Sequence, residues 1–344
     1  MKIALFDTHD FEKQYLSEAA KRYGHSITYY KERLSFKSAG LAEGYPVVCP
    51  FVNDSLDEET LPILQNSGVR LIAMRCAGFN NVDLPLAARL GLPVVRVPEY
   101  SPYAVAEHAV ALILALNRKI YRAQSRVKQS NFSLSGLLGF DLHGKTVGVI
   151  GTGKIGAVFA KIMTGFGCQV VAFDSQIKPK LVDELGVTYV ELNRLLELSH
   201  IISLHVPLTP QTRHLISQTS FDRMKPGVML INTGRGALID TRALIRALKS
   251  RKVAYAGLDA YEEEENVFFQ DLSEEVLQDD LLARLLTFPN VLITAHQGFL
   301  TQEALTEIAE TTMANVSEYE QGKPLTNLIQ LEERWVWEPK KTAA

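Results

Sequence analysis

Arg235 stands between two glycines in Asn232-Thr-Gly-Arg-Gly236, directly after the apolar run Val228–Ile231. Glycine neighbours permit sharp backbone geometry and leave a long guanidinium free to reach outward. Its planar fork of donors is the best side-chain match for a carboxylate. On that turn alone, a surface arginine is an equally good reading. His296 follows another apolar run, Val291–Thr294, in Thr294-Ala-His296-Gln-Gly298. Imidazole gives or takes a proton near neutral pH with little tuning, although a lone histidine after a strand is more often structural. His205 is a rival at a third strand end, where Pro207 and its loop favour a structural or cofactor-side role. His108, inside an apolar helix, reads as a satisfied buried residue. Glu262–Glu265 reads first as a solvated acidic patch. One member folding back on His296 would favour the imidazolium and keep a proton ready for a carbonyl oxygen. Composition does not choose among the four.

Gly151-x-Gly153-x-x-Gly156 follows the buried run Thr146–Ile150 and opens a helical stretch, the context such a motif requires. The first glycine makes a tight turn, the second lets backbone approach a pyrophosphate, and the third allows close helix–strand packing. The helix amino terminus then offers free N–H groups and positive dipole. Asp174 ends the next strand, Gln169–Phe173, where a carboxylate accepts ribose hydroxyls and repels a 2′-phosphate. NAD is therefore favoured over NADP.

Positioning these residues requires a particular kind of sheet. Six apolar, β-branched runs between Thr146 and Thr294 each stop at a residue or turn of evident chemical use, Asp259 after Ala254–Leu258 among them. In an open parallel sheet the carboxyl ends share one edge, and ligands bind in the crevice there. The first half alternates similarly. Strands are expected at Lys2–Phe6, Ser26–Tyr30, Pro46–Val52, Leu71–Met74 and Val94–Val97, with helices at Phe11–Tyr23, near Asp57–Asn66 and at Asp83–Arg89. That alternation predicts an α/β architecture of doubly wound parallel sheets. Pro98-Glu-Tyr-Ser-Pro102 marks a boundary, and a helix from about Val105 to Asn117 is apolar enough to be buried nearly all round. Residues 116–144 are more polar and suit a subunit-contact arm. Tyr261–Pro289 reads as one long irregular piece, Glu303–Gln321 as an amphipathic helix, and the tail holds Trp335 and Trp337.

A chain of 344 residues should form two cores of ordinary domain size. With 47% apolar residues, 22% charged residues and a net charge of −3, nothing favours disorder, nucleic acid or an anionic membrane as partner. Cys49, Cys76 and Cys168 are odd in number and lie beside apolar runs, as buried thiols of a reducing compartment do. Met1–Asp7 lacks the apolar region of a signal peptide, and Ala104–Leu116 is broken by Glu107-His108 and too short to span a bilayer. No pair of histidines shows H-E-x-x-H spacing, so no metal site is expected. A cytoplasmic protein is the expectation.

Taken together, Met74–Asp83, Val149–Gly156, His205–Pro210, Ile231–Asp240, Gly257–Glu262 and Ala295–Phe299 resemble the D-isomer-specific 2-hydroxyacid dehydrogenases, most closely their D-lactate branch. The resemblance implies a flavodoxin-like substrate domain (1–100 plus 299–344) and a Rossmann NAD-binding domain (101–298). It implies NADH-dependent reduction of a small 2-oxoacid such as pyruvate, by a cytoplasmic homodimer or homotetramer. Arg235 then becomes the catalytic arginine, His296 the acid/base and Glu264 its carboxylate partner. Gly151, Gly153, Lys154, Ile155, Gly156, Asp174, Val206, Pro207, Thr212, Thr233, Gly234, Arg235 and Asp259 surround NAD. Cys76, Ala77, Gly78, Tyr100 and Phe299 line the substrate, with Tyr103 an equal rival to Tyr100. Gly234 departs from the serine frequent in relatives. Branched or aromatic 2-oxoacids are an alternative substrate. Resemblance to C-terminal-binding-protein corepressors implies a second class of function, a protein-binding surface.

Overall fold

In the computed structural model the described residues are 1–330, and the tail with Trp335 and Trp337 lies outside them. The chain divides into two compact units, one of residues 1–101 with the segment from Leu300, the other of residues 102–299.

The first unit holds β1 (Lys2–Leu5), β2 (Ser26–Tyr29), β3 (Val47–Cys49), β4 (Leu71–Ala73) and β5 (Val94–Val95). All pair in parallel, in the order β2-β1-β3-β4-β5, which is the flavodoxin-like order. Successive strand residues point to opposite faces. Accordingly Val48 and Ile72 enter one core with Phe6 and Leu61, while Val47 and Leu71 enter the other with Leu16 and Met313. Met313 comes from the Gln302–Glu320 helix, whose first turn is capped by Thr301 accepting the Ala304 N–H.

The second unit holds β6 (Thr146–Ile150), β7 (Gln169–Phe173), β8 (Thr188–Tyr189), β9 (Ile201–Leu204), β10 (Val228–Asn232), β11 (Val253–Leu258) and β12 (Val291–Ile293). Their order is β12-β11-β10-β9-β6-β7-β8, all parallel. This is the doubly wound Rossmann arrangement with one added edge strand. The sheet therefore has seven strands, not the six read from the sequence. Thr188–Tyr189 is a two-residue edge strand, too short to show a pattern. β9 and β10 are buried along their whole length, the reason they read as unbroken apolar runs.

Two stretches are more ordered than their composition suggested. The polar arm contains a helix at Ile120–Lys128. The segment before β12 contains a 3-10 turn at Glu264–Asn266 and a helix at Asp280–Leu286, whose cap Asp279 accepts the Leu281 and Leu282 N–H groups. No helix among the described residues is long and apolar enough to cross a membrane.

Candidate active site

The carboxyl end of β6 is shaped by its glycines. Gly151 has φ +91°, and a Cβ there would lie 2.7 Å from the His205 carbonyl oxygen. A Cβ on Gly156 would lie 1.9 Å from the Gly151 oxygen, so only glycine lets this helix pack so closely. A Cβ on Gly153 would meet nothing, which leaves open space over the amino terminus of the Lys154–Gly165 helix. No side chain caps that end and its first turn carries no acid. The N–H groups of Ile155 and Gly156 in this first turn point toward that space, as an anion site at a helix end requires.

Asp174 Oδ2 accepts both the N–H (2.6 Å) and the hydroxyl (3.0 Å) of Thr152, and Oδ1 accepts the Gln176 N–H. Burial works against its charge, but these hydrogen bonds outweigh it and hold the carboxyl below the usual range. Tyr189 on the short edge strand β8 donates to Thr152 at 2.9 Å and completes this support. Across the loop after β9, Val206 lies against Gly151. Thr212 spends its hydroxyl on that loop, donating to the Pro207 carbonyl at 2.6 Å and accepting the Thr209 N–H at 2.7 Å. Thr233 offers a buried hydroxyl with no hydrogen-bond partner among the described residues. An open glycine cradle, an uncapped helix end, an ionised carboxylate and an orphaned hydroxyl fit a dinucleotide. His205 is structural by contrast. Its Nε2 lies 2.9 Å from Ser203 Oγ, its ring packs against Phe159, and burial pushes its pKa down to about 3.

At the far side of the sheet, β10, β11 and β12 deliver the acid–base groups. Asn232 clasps the turn that carries Arg235, accepting the Gly234 N–H and donating to the Arg235 carbonyl. Arg235 is half-buried, with Nη1 on the Gly234 oxygen at 3.0 Å. A Cβ on Gly236 would sit 1.9 Å from the Tyr261 carbonyl carbon, so this turn presses directly on the backbone leading to Glu264. Glu264 Oε1 lies 2.7 Å from His296 Nδ1, and its Oε2 accepts the Tyr261 N–H at 2.8 Å. A carboxylate only accepts, so Nδ1 carries a hydrogen and Nε2 is the nitrogen left to work. Glu262 in the same acidic run is engaged elsewhere, taking His214 at 2.6 Å and the Thr241 hydroxyl at 2.9 Å.

Asp259 is only 1% exposed and anchors the histidine loop. Its carboxylate accepts the Thr294 hydroxyl and the Gln297 and Gly298 N–H groups, and its carbonyl accepts the His296 N–H at 2.6 Å. His108, which the sequence presents only as a buried histidine, adds Nε2 at 3.2 Å. These bonds keep Asp259 ionised against the opposing effect of its burial. They also hold Ala295 (φ +46°) and His296 (φ +59°) in left-handed backbone, a strained pair of neighbours.

Phe269 was not singled out from the sequence. Its ring lies 6.1 Å from that of His296 and 6.5 Å from that of Phe299. The only sequence signal was an aromatic pair inside an unusually long connection. In the first unit, Cys76 is buried with its thiol on the Gly78 carbonyl, and Arg96 holds the Ala77 carbonyl. Tyr100 is half-buried, whereas Tyr103 is 55% exposed.

Comparison with known proteins agrees with this geometry. Residues 110–298 match the family model for the D-isomer specific 2-hydroxyacid dehydrogenase, NAD binding domain. The D-lactate dehydrogenase of Escherichia coli K12 is 49% identical over 327 residues, covering 95% of this chain and 99% of that one. The apo structure of the Escherichia coli D-lactate dehydrogenase superposes with a TM-score of 0.88 at 47% identity, over 96% of this chain and 100% of that one. The NAD+ complex of the Lactobacillus jensenii D-lactate dehydrogenase gives 0.80 at 31% identity, over 96% and 100%. With a dinucleotide cradle and a paired histidine on one sheet, this chain belongs to the NAD-dependent D-isomer specific 2-hydroxyacid dehydrogenases.

Proposed function

We propose that this protein is a D-lactate dehydrogenase that reversibly reduces pyruvate, or a similarly small 2-oxoacid, to the D-2-hydroxyacid. The observation that carries the reading is the 2.7 Å pair of His296 and Glu264, set beside the Arg235 turn. Arg235 binds the substrate carboxylate through its fork and polarises the adjacent carbonyl. His296, held by Glu264, gives the Nε2 proton to the carbonyl oxygen, and takes it back in the oxidative direction. NADH, when bound, supplies the hydride for the carbonyl carbon. Gly151–Gly156 holds its pyrophosphate, Asp174 its adenosine ribose, and Val206, Pro207, Thr233 and Gly234 flank it. Asp259 acts by holding the His296 loop, and Thr212 by shaping the loop after β9. Phe299 and Phe269 supply an apolar wall beside His296. Backbone groups of Cys76–Gly78, with Tyr100, are assigned to the substrate as well.

We place the protein in the cytoplasm, supported by three free, buried cysteines. We also infer a homodimer or homotetramer, supported by the exposed apolar side chains Ile120, Val127, Phe132, Leu134 and Leu138 on the arm. A panel of pyruvate, phenylpyruvate and branched 2-oxoacids, run with NADH and NADPH, tests the reading. Pyruvate with NADH should give the highest kcat/KM. Cofactor binding without turnover of any oxoacid would remove the enzymatic assignment.

A further inference from the structure

We propose that a second ligand site lies at the amino ends of β11 and β12, a cationic cavity that takes a small organic or inorganic polyanion. The cavity measures about 430 Å³ and is lined by Lys119, Arg122, Lys249 and Arg251, with Tyr121 and Tyr255 as walls. No carboxylate is among the lining residues. Four positive groups around one concavity with no acid to answer them focus a positive potential there. Two of them are arginines, whose forks match phosphate or carboxylate oxygens.

The walls are fixed. Tyr121 donates to the Pro289 carbonyl at 2.9 Å, and Asn290 donates to the Ala254 carbonyl at 2.7 Å. Lys119 is 7% exposed, its ammonium held by the Leu138 carbonyl and seated over the Tyr255 ring at 5.3 Å. Lys249 and Arg251 are exposed at the mouth, so a ligand can enter. Lys119 and Arg251 both have left-handed backbone, φ +50° and +60°.

This site is distinct from the one already described. Val253 lines the cavity while Asp259 follows the other end of the same strand, a separation of roughly 20 Å at the rise of a parallel strand. The dinucleotide loop and Arg235 share that opposite edge.

The shared chemistry is that of a small polyanion, and titration calorimetry separates its two sources. The full-length protein, saturated with NADH so that the glycine loop is filled, is titrated with inorganic pyrophosphate and, separately, with tricarballylate at constant ionic strength. One site per chain is expected for at least one of the two. Binding of pyrophosphate alone assigns a phosphate ligand, and binding of tricarballylate alone a polycarboxylate. The double variant Lys249→Glu/Arg251→Glu should weaken that binding by at least about tenfold, and Lys249→Gln/Arg251→Gln by less, both with unchanged oxoacid turnover. Failure of both anions to bind better than chloride, or wild-type affinity in the Glu variant, overturns the proposal.

Discussion

Glu264 is clamped from two sides, by His296 Nδ1 on one oxygen at 2.7 Å and by the Tyr261 N–H on the other at 2.8 Å. The carboxylate is therefore fixed before any substrate arrives, and it fixes the ring in turn. Glu264→Gln keeps the shape and removes the carboxylate that orients the ring. The expected result is a fall in kcat for reduction of about tenfold or more. An unchanged kcat would exclude a role for Glu264 in the reaction.

Replacing Arg235 by Lys tests the fork rather than the charge. Loss of a charge-assisted hydrogen bond of about 1.5–3 kcal/mol should lower kcat/KM for pyruvate by roughly 10- to 150-fold. Both a higher KM and a lower kcat are expected from steady-state kinetics. Unchanged constants would take Arg235 out of the site.

Asp174 is held ionised by Thr152 and Gln176 and should set the cofactor choice. In Asp174→Ala the ratio of kcat/KM for NADPH to that for NADH should rise by about tenfold or more, as a charge-assisted hydrogen bond is lost and a repulsion removed. An unchanged ratio would place the discrimination elsewhere.

Two neighbouring glycines should behave differently. A Cβ on Gly236 strikes the Tyr261 backbone at 1.9 Å, and main chain cannot step aside cheaply. Gly236→Ala is expected to cost about 1–3 kcal/mol or more and to disturb the Glu264 loop. At Gly234 the nearest atom is Leu238 Cδ1 at 3.4 Å, an ordinary contact. Gly234→Ser should stay within about 0.5 kcal/mol of wild type. Urea midpoints of the two variants check both statements.

His205 gives a pH signature of stability. Its folded pKa is pushed down to about 3 by burial, below the 6.5 of an ordinary imidazole. Above pH 6.5 neither state binds the proton, so the residue contributes nothing there. As pH falls below 6.5 the unfolded chain takes up a proton that the folded one refuses, and stability drops until about pH 3. The urea midpoint of His205→Asn should therefore fall less than that of wild type between pH 7 and pH 5. Parallel falls would show that His205 is protonated in the folded protein.

Much of this arrangement was legible in the residues because parallel strands are covered on both faces. Ile201–Leu204 and Val228–Ile231 could be read as strands from composition alone, and the residues after them as one edge. Thr188–Tyr189 could not, since an edge strand of two residues has no periodicity to detect. The helix expected near Asp57–Asn66 begins at Thr60, because Asp57 stays outside it and its Oδ1 accepts the Glu59 and Thr60 N–H groups. Choosing Glu264 within Glu262–Glu265 needed the family resemblance. Four identical side chains in a row differ only in where the backbone turns, and here the Tyr261 N–H and His214 sort them. Asp259 was visible as a strand end. Its part as the anchor of Thr294, Gln297 and Gly298 was not, because those partners come from a strand more than thirty residues later.

The central claim is that the His296–Glu264 pair protonates a 2-oxoacid carbonyl during reduction by NADH. Its most direct test is chiral analysis of the product formed by the purified protein from pyruvate and NADH, beside a His296→Gln variant. The account predicts D-lactate from wild type and a rate lower by about 10²–10⁴-fold in the variant, with NADH binding retained. L-lactate as product, no product at all, or an unimpaired variant would contradict it.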